Sequence, residues 1–321
     1  MALLLVCAGF FTYRAIRSEN LKHELIAAIK ANDTPLALKL LDEGADPNAT
    51  DDNPDDEQKP SWMGTLQSLI KRVFPTGRQK MADRNPSALL VAVNMQDPTS
   101  NGIPEDTTLV QALLEHGAAI DCQDKFGNTP LIRAASQICP KTVRILLENG
   151  ADPNHKDISG GTAIRITDEE IAKLLIQHGA DPNALDRDGY TPLCWNCMLG
   201  EELGGGEMAQ TLIRSGVDVN VRDASGKTPL MYASRECSMG TIKMLLDHGA
   251  DVHVKDSTGT DALLIAAAAG RSDLVTLYLD RGMEGELKTP YGSKVLAAAA
   301  SLNHRDVVKI LLQRGADFNA R

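Results

Sequence analysis

Aromatic residues are scarce in this 321-residue chain: five Phe, five Tyr and two Trp make up only 4% of it. A core with so few rings must be filled by Leu, Ala, Val and Ile, which suits small helices packed closely together. Positive charge is also short, with 33 Lys and Arg against 43 Asp and Glu and a formal net charge of -10. That balance argues against a general nucleic-acid binder, because phosphate neutralisation needs clustered cations. The six cysteines show no regular pairing and fit free thiols in a reducing compartment. No Ser/His/Asp arrangement, phosphate loop or metal-ligand spacing stands out, so no catalytic residue, metal or cofactor is expected. The apolar run from Ala2 to Tyr13 falls short of the ~20 residues of a spanning helix.

What is present is repetition. Gly44-Ala-Asp-Pro-Asn48, Gly150-Ala-Asp-Pro-Asn154, Gly179-Ala-Asp-Pro-Asn183, Gly216-Val-Asp-Val-Asn220, Gly249-Ala-Asp-Val-His253 and Gly315-Ala-Asp-Phe-Asn319 are copies of one motif. Weaker copies begin at Gly117 and Gly282. Each glycine follows an amphipathic run and is placed to end a helix in the left-handed region. His116, His178 and His248 directly precede such glycines, at the negative end of the helix dipole, where an imidazole meets free carbonyls. Asn48, Asn154, Asn183, Asn220 and Asn319 recur at one position, which suggests hydrogen bonding within the turn. Gly127-Asn-Thr-Pro-Leu131, Gly189-Tyr-Thr-Pro-Leu193 and Gly226-Lys-Thr-Pro-Leu230 add a Thr that can cap the next helix and a Pro suited to its first turn.

The unit reads turn, helix, tight turn, helix, with a period of about 33 residues. This pattern resembles the ankyrin repeat over residues 19–321. The resemblance implies an all-α solenoid with eight units near 19–50, 85–124, 125–157, 158–186, 187–223, 224–256, 257–289 and 290–321. The family's His after Thr-Pro-Leu is replaced here by Ile132, Cys194 and Met231. The unit 158–186 is short, with a first helix of little more than Thr162 to Thr167, so local irregularity is expected. Cys194 and Cys197 fall on the inward side of a first helix, so their Cys-x-x-Cys spacing reads as core packing; a redox pair or half a metal site is the remote alternative.

A solenoid presents its first helices and projecting turns as an extended concave surface. The resemblance places one variable residue per first helix there: Val91, Arg133, Ile166, Trp195, Tyr232, Ile265 and Ala298. Trp195, Tyr232 and Ile265 then form a stripe, either a partner-binding patch or side chains that cover one another. Phe126, Tyr190 and Tyr291 lie near the turns and could form its rim. The expected function is a non-enzymatic adaptor that binds a protein partner, not a nucleic acid.

Two segments raise a membrane question. Arg14 and Arg17 follow the apolar run, which favours a cytoplasmic bulk of the chain or a place on the cytoplasmic face of a membrane. Residues 1–18 read as a short or truncated anchor, as the trace of a start lying further upstream, or as a helix capping the fold. The insertion 51–84 opens acidic and turns basic around Trp62, Leu66, Leu69, Ile70, Val73 and Phe74, which recur at roughly helical spacing. Trp62, Lys71, Arg72 and Phe74 would touch anionic lipid if this helix lies on a bilayer. A helix docked on the first units is the competing picture.

Overall fold

A computed structural model describes residues 17, 18, 20–51, 86–95, 106–165, 167–202 and 204–317. Among them the only β-bridge is an isolated antiparallel one between Thr50 and Ser87. The helices are α1 (20–30), α2 (Thr34–Asp42), α3 (Ala88–Asn94), α4 (Thr108–Glu115), α5 (Pro130–Ser136), α6 (Pro140–Glu148), α7 (Glu169–Gln177), α8 (Pro192–Leu199), α9 (Gly205–Arg214), α10 (Pro229–Glu236), α11 (Met239–Asp247), α12 (Ala262–Ala268), α13 (Ser272–Asp280), α14 (Pro290–Ser301) and α15 (Arg305–Gln313).

Several helices start and stop for an identifiable local reason. The hydroxyl oxygens of Thr129, Thr191 and Thr228 accept from the amides of Ile132, Cys194 and Met231, with Pro in the first turn each time. Asp261 stands where the other units have Thr and caps α12 through Leu264 N at 2.9 Å. At the other end, Gly216 with φ 82° takes the left-handed conformation that closes α9. The imidazole Nδ1 atoms of His116 and His248 sit 2.9 and 2.8 Å from the carbonyls of Ala112 and Met244, as expected of a His in a last turn. Replacing Thr191 by Ala should lower stability by about 1 kcal/mol; an unchanged urea midpoint would show that the cap contributes nothing.

The chain divides into two compact units, residues 1–163 with 177–179 and residues 164–176 with 180–321. In the first, α3 packs on α5 and α2 on α4. In the second, first helices stack in the order α8, α10, α12, α14, while α9 packs on α11 and α13 on α15. The core is aliphatic, with Leu131, Leu146, Leu193, Leu230 and Leu263 at 0% exposure. Tyr278 is an exception among the scarce rings, fully buried in α13, with its hydroxyl 2.7 Å from Ser234 Oγ.

The recurring asparagines tie neighbouring turns together, so the expectation of bonds confined to one turn needs correction. In the first unit Asn48 receives the amide of Ala119 at 2.6 Å and donates to Gly117 O at 3.2 Å. In the second, Asn220 receives Asp251 N at 2.9 Å and donates to Gly249 O at 2.8 Å. Each side chain satisfies backbone groups of the next repeat, which explains its fixed position in the motif.

Two irregular places have physical compensations. Residues 161–165 form turns instead of a helix, and buried Asn196 donates to Arg165 O at 3.1 Å and to Pro192 O at 2.8 Å. A Cβ on Gly205 would lie 2.2 Å from the Asn196 carbonyl oxygen, so a glycine there lets α9 approach α8. Near the carboxyl end a 3-10 helix, Met283–Lys288, replaces the usual turn and buries Met283 and Leu287.

Candidate partner-binding face

The projecting turns share a device built on Asp-x-x-Gly. In Asp124, Asp157, Asp186, Asp223 and Asp256, Oδ1 accepts the amides two and four residues on, at 2.7–3.0 Å. One carboxylate oxygen thereby sets the turn.

The second oxygen reaches the first helix. Asp124 Oδ2 pairs with Arg133, with Nε at 3.1 Å; Asp186 Oδ2 accepts from Trp195 Nε1 at 2.7 Å; Asp223 Oδ2 accepts from the Tyr232 hydroxyl. In all three the donor lies nine residues after the acid. Burial pushes the carboxyls of Asp124 and Asp223 up, but the hydrogen bonds outweigh it and hold both below the usual carboxylate range. Burial, and then the hydrogen bond to Asp223, push the Tyr232 phenol far up.

In the second unit these contacts arrange rings. Tyr190 lies 5.4 Å from Trp195 and 6.0 Å from Tyr232 between centroids, in tilted and edge-on geometry, the arrangements aromatic quadrupoles favour. Cations flank them: Arg165 is 5.5 Å from the Trp195 ring and Lys227 is 5.8 Å from the Tyr232 ring. All three rings and Ile265 remain half-buried. Tyr232 and Ile265 also line an open groove of about 1030 Å³ with Met198, Ala268 and Ala269.

Other expected positions fall elsewhere. Tyr291 sits in the first turn of α14, where its hydroxyl donates to Asp261 and Lys255 lies 4.5 Å from its ring; it does not line the groove. Burial pushes the Asp261 carboxyl up, and its Oδ2 has no partner. Arg133 and Phe126 belong to the first unit, Phe126 exposed with Lys125 5.2 Å from its ring. Val91 is buried at 7% exposure. Ile166, Trp62, Lys71, Arg72, Phe74 and the run 2–13 lie outside the described residues. Among those described, no helix is long and apolar enough to cross a membrane.

Cys194 and Cys197 are both fully buried. Burial raises the Cys194 thiol; contact with Cys237 and then burial raise that of Cys197. No group of three or more metal-binding side chains occurs among the described residues. Alkylation of Cys194 and Cys197 by iodoacetamide should therefore require unfolding. Labelling of the native chain as fast as a free thiol would contradict this placement.

The aspartates, Asn196 and Cys237 are the residues sequence reasoning passed over. The Asp-x-x-Gly spacing was visible at 124, 157, 186, 223 and 256, whereas no pattern announced the partners of Asn196 or Cys237.

Comparison with known proteins agrees with the repeat architecture. A family model described as ankyrin repeats matches residues 63–157, 162–256 and 240–321. An ankyrin repeat protein of Rickettsia bellii is 30% identical over 141 residues, 42% of this chain and 51% of that protein. An ankyrin repeat protein of Fowlpox virus is 38% identical over 52 residues, 16% of this chain and 20% of that protein. The BCL-6 corepressor-like protein 1 of Homo sapiens is 34% identical over 67 residues, 21% of this chain and 4% of that protein. The matches thus span about half or less of these relatives' lengths.

Proposed function

The chain belongs to the ankyrin-repeat family, whose repeats serve as protein–protein interaction modules, and from that premise we propose that it binds a protein partner through the first-helix face of its second unit. The observation that carries this reading is the Trp195, Tyr190 and Tyr232 cluster, of which Tyr232 lines a groove together with Ile265. The polar ends of Trp195 and Tyr232 are bound to Asp186 and Asp223, so no buried donor is left unsatisfied when a partner covers the rings. The ring faces stay half-exposed on a preordered scaffold, which limits the entropy lost on association. Trp and Tyr are favoured anchors in protein interfaces.

Affinity purification from source cells tests the proposal. A protein captured by the wild type should be lost by a folded Trp195→Ala/Tyr232→Ala variant. Retention of every captured protein by that variant would mean that the rings serve only packing.

A further inference from the structure

We infer that the partner enters the groove of the second unit as a short segment carrying an apolar side chain next to a lysine or arginine. This rests on the reading of the face given above and adds the chemistry of the occupant.

The floor of the groove is apolar where Met198, Tyr232, Ile265, Ala268 and Ala269 meet. Its volume of about 1030 Å³ is at the upper end for a small-molecule pocket, and the groove is open, so it suits several residues of a chain. The side walls are polar and unlike each other. Ser225, Ser257, Thr258 and Thr260 line the side of the projecting turns; the Ser225 and Thr258 hydroxyls already donate to Asp223 and Asp256, which leaves their oxygens to accept from a segment's amides. Leu199, Gly200, Glu201, Glu202 and Glu236 line the other side, where α8 and α10 end.

Charge at that second end selects the occupant. Helix carboxyl termini carry the negative end of the dipole; Arg271 already meets that of α10 through Cys237 O at 2.7 Å, and three glutamates stand beside the ends of α8 and α10. Glu201 is held in place, its Oε1 accepting from Ser238 N at 2.9 Å and Thr241 Oγ1 at 3.0 Å. Glu202 is exposed and makes no ion pair among the described residues. Glu236 pairs with Arg235 at 3.0 Å, and both side chains are more than half exposed, a geometry of little energetic worth.

Across the whole groove Glu201, Glu202, Glu236 and Asp256 outnumber Lys227 and Arg235, and Lys227 already lies near the Tyr232 ring. An acidic segment would be repelled at the helix ends. A basic one gains the carboxylates, which stand beyond the α10 end that Arg271 already caps, while its apolar neighbour covers Tyr232 and Ile265.

Random twelve-residue peptides displayed on phage and selected on the full chain test this. Enriched sequences should pair Leu, Met or an aromatic residue with an adjacent Lys or Arg. A synthetic peptide from the selection, followed by fluorescence anisotropy, should bind a Glu202→Lys/Glu236→Lys variant at least about tenfold more weakly. Both positions are exposed, so an unchanged melting temperature verifies the fold. Binding should also weaken as salt rises.

Selection of peptides without basic residues, no selection at all, or equal binding by the charge-reversed variant would overturn the inference. If peptides are lost on Tyr232→Ala but indifferent to the charge reversal, the face stands and the basic occupant falls. If they are indifferent to Trp195→Ala/Tyr232→Ala, the face itself falls.

Discussion

With the partner in hand, Trp195→Ala/Tyr232→Ala should weaken binding by about 3 kcal/mol, roughly 150-fold in Kd, since central Trp and Tyr anchors each cost about 2 kcal/mol or more when truncated. Titration calorimetry on purified proteins measures it. The Ala variants also deprive Asp186 and Asp223 of donors, so a change in binding must be separated from a change in fold. Tyr232→Phe makes the separation: it keeps the ring and removes only the hydroxyl that reaches Asp223. Its affinity should stay within a few-fold of wild type, while stability drops by about 1–2 kcal/mol because a nearly buried carboxylate loses a donor. Equal affinity of the double Ala variant and the wild type would refute the interface.

Asp223→Ala should severely weaken the projecting turn that it organises. The side chain is 7% exposed and accepts from the amides of Ser225 and Lys227, the Ser225 hydroxyl and Tyr232. Its removal leaves these donors without their acceptor and frees the turn, at a cost of about 3 kcal/mol. The effect depends on pH with a definite sign. Burial raises the carboxyl and its hydrogen bonds lower it further than burial raises it, so the folded value lies below the ordinary 3.8. The native state then binds fewer protons than the unfolded one near that pH. Stability from Asp223 is therefore complete above 3.8 and fades as pH falls through the lower, folded value. Urea melts of wild type and Asp223→Ala should converge as the pH is taken below 3.8. A constant gap across that range would mean that the ionised carboxylate is not what holds the turn.

Much of the fold was legible because its signals are local and repeated. A Gly after an amphipathic run and a Thr-Pro before one each report a single backbone requirement, and the helices at α5, α8 and α10 begin at those prolines. The register that singled out Trp195, Tyr232 and Ile265 follows from the same anchors. Tyr291 was read near a turn because the carboxyl-terminal repeat departs from the pattern: the 3-10 helix Met283–Lys288 and an early Thr289 cap start α14 at Pro290. That earlier start brings the phenol to Asp261.

What escaped the sequence reading was mostly pairing at a distance. Asn196 serves a carbonyl 31 residues away, a bond needed only because a first helix is missing at 161–165. Cys237 donates to the Cys197 carbonyl 40 residues earlier. The turn aspartates are different. Their spacing was in plain view, but a tie to a side chain nine residues later, shared by Arg133, Trp195 and Tyr232, requires knowing that the turn folds back on its helix.

The most direct test of the account is amide hydrogen exchange of the full chain with and without its captured partner. Binding through the proposed face should slow exchange in residues 186–200, 223–236 and 256–269, which carry the turns and first helices around the stripe, and leave α9, α11 and α13 unchanged. Protection confined to those second helices, or to the first unit, would contradict it.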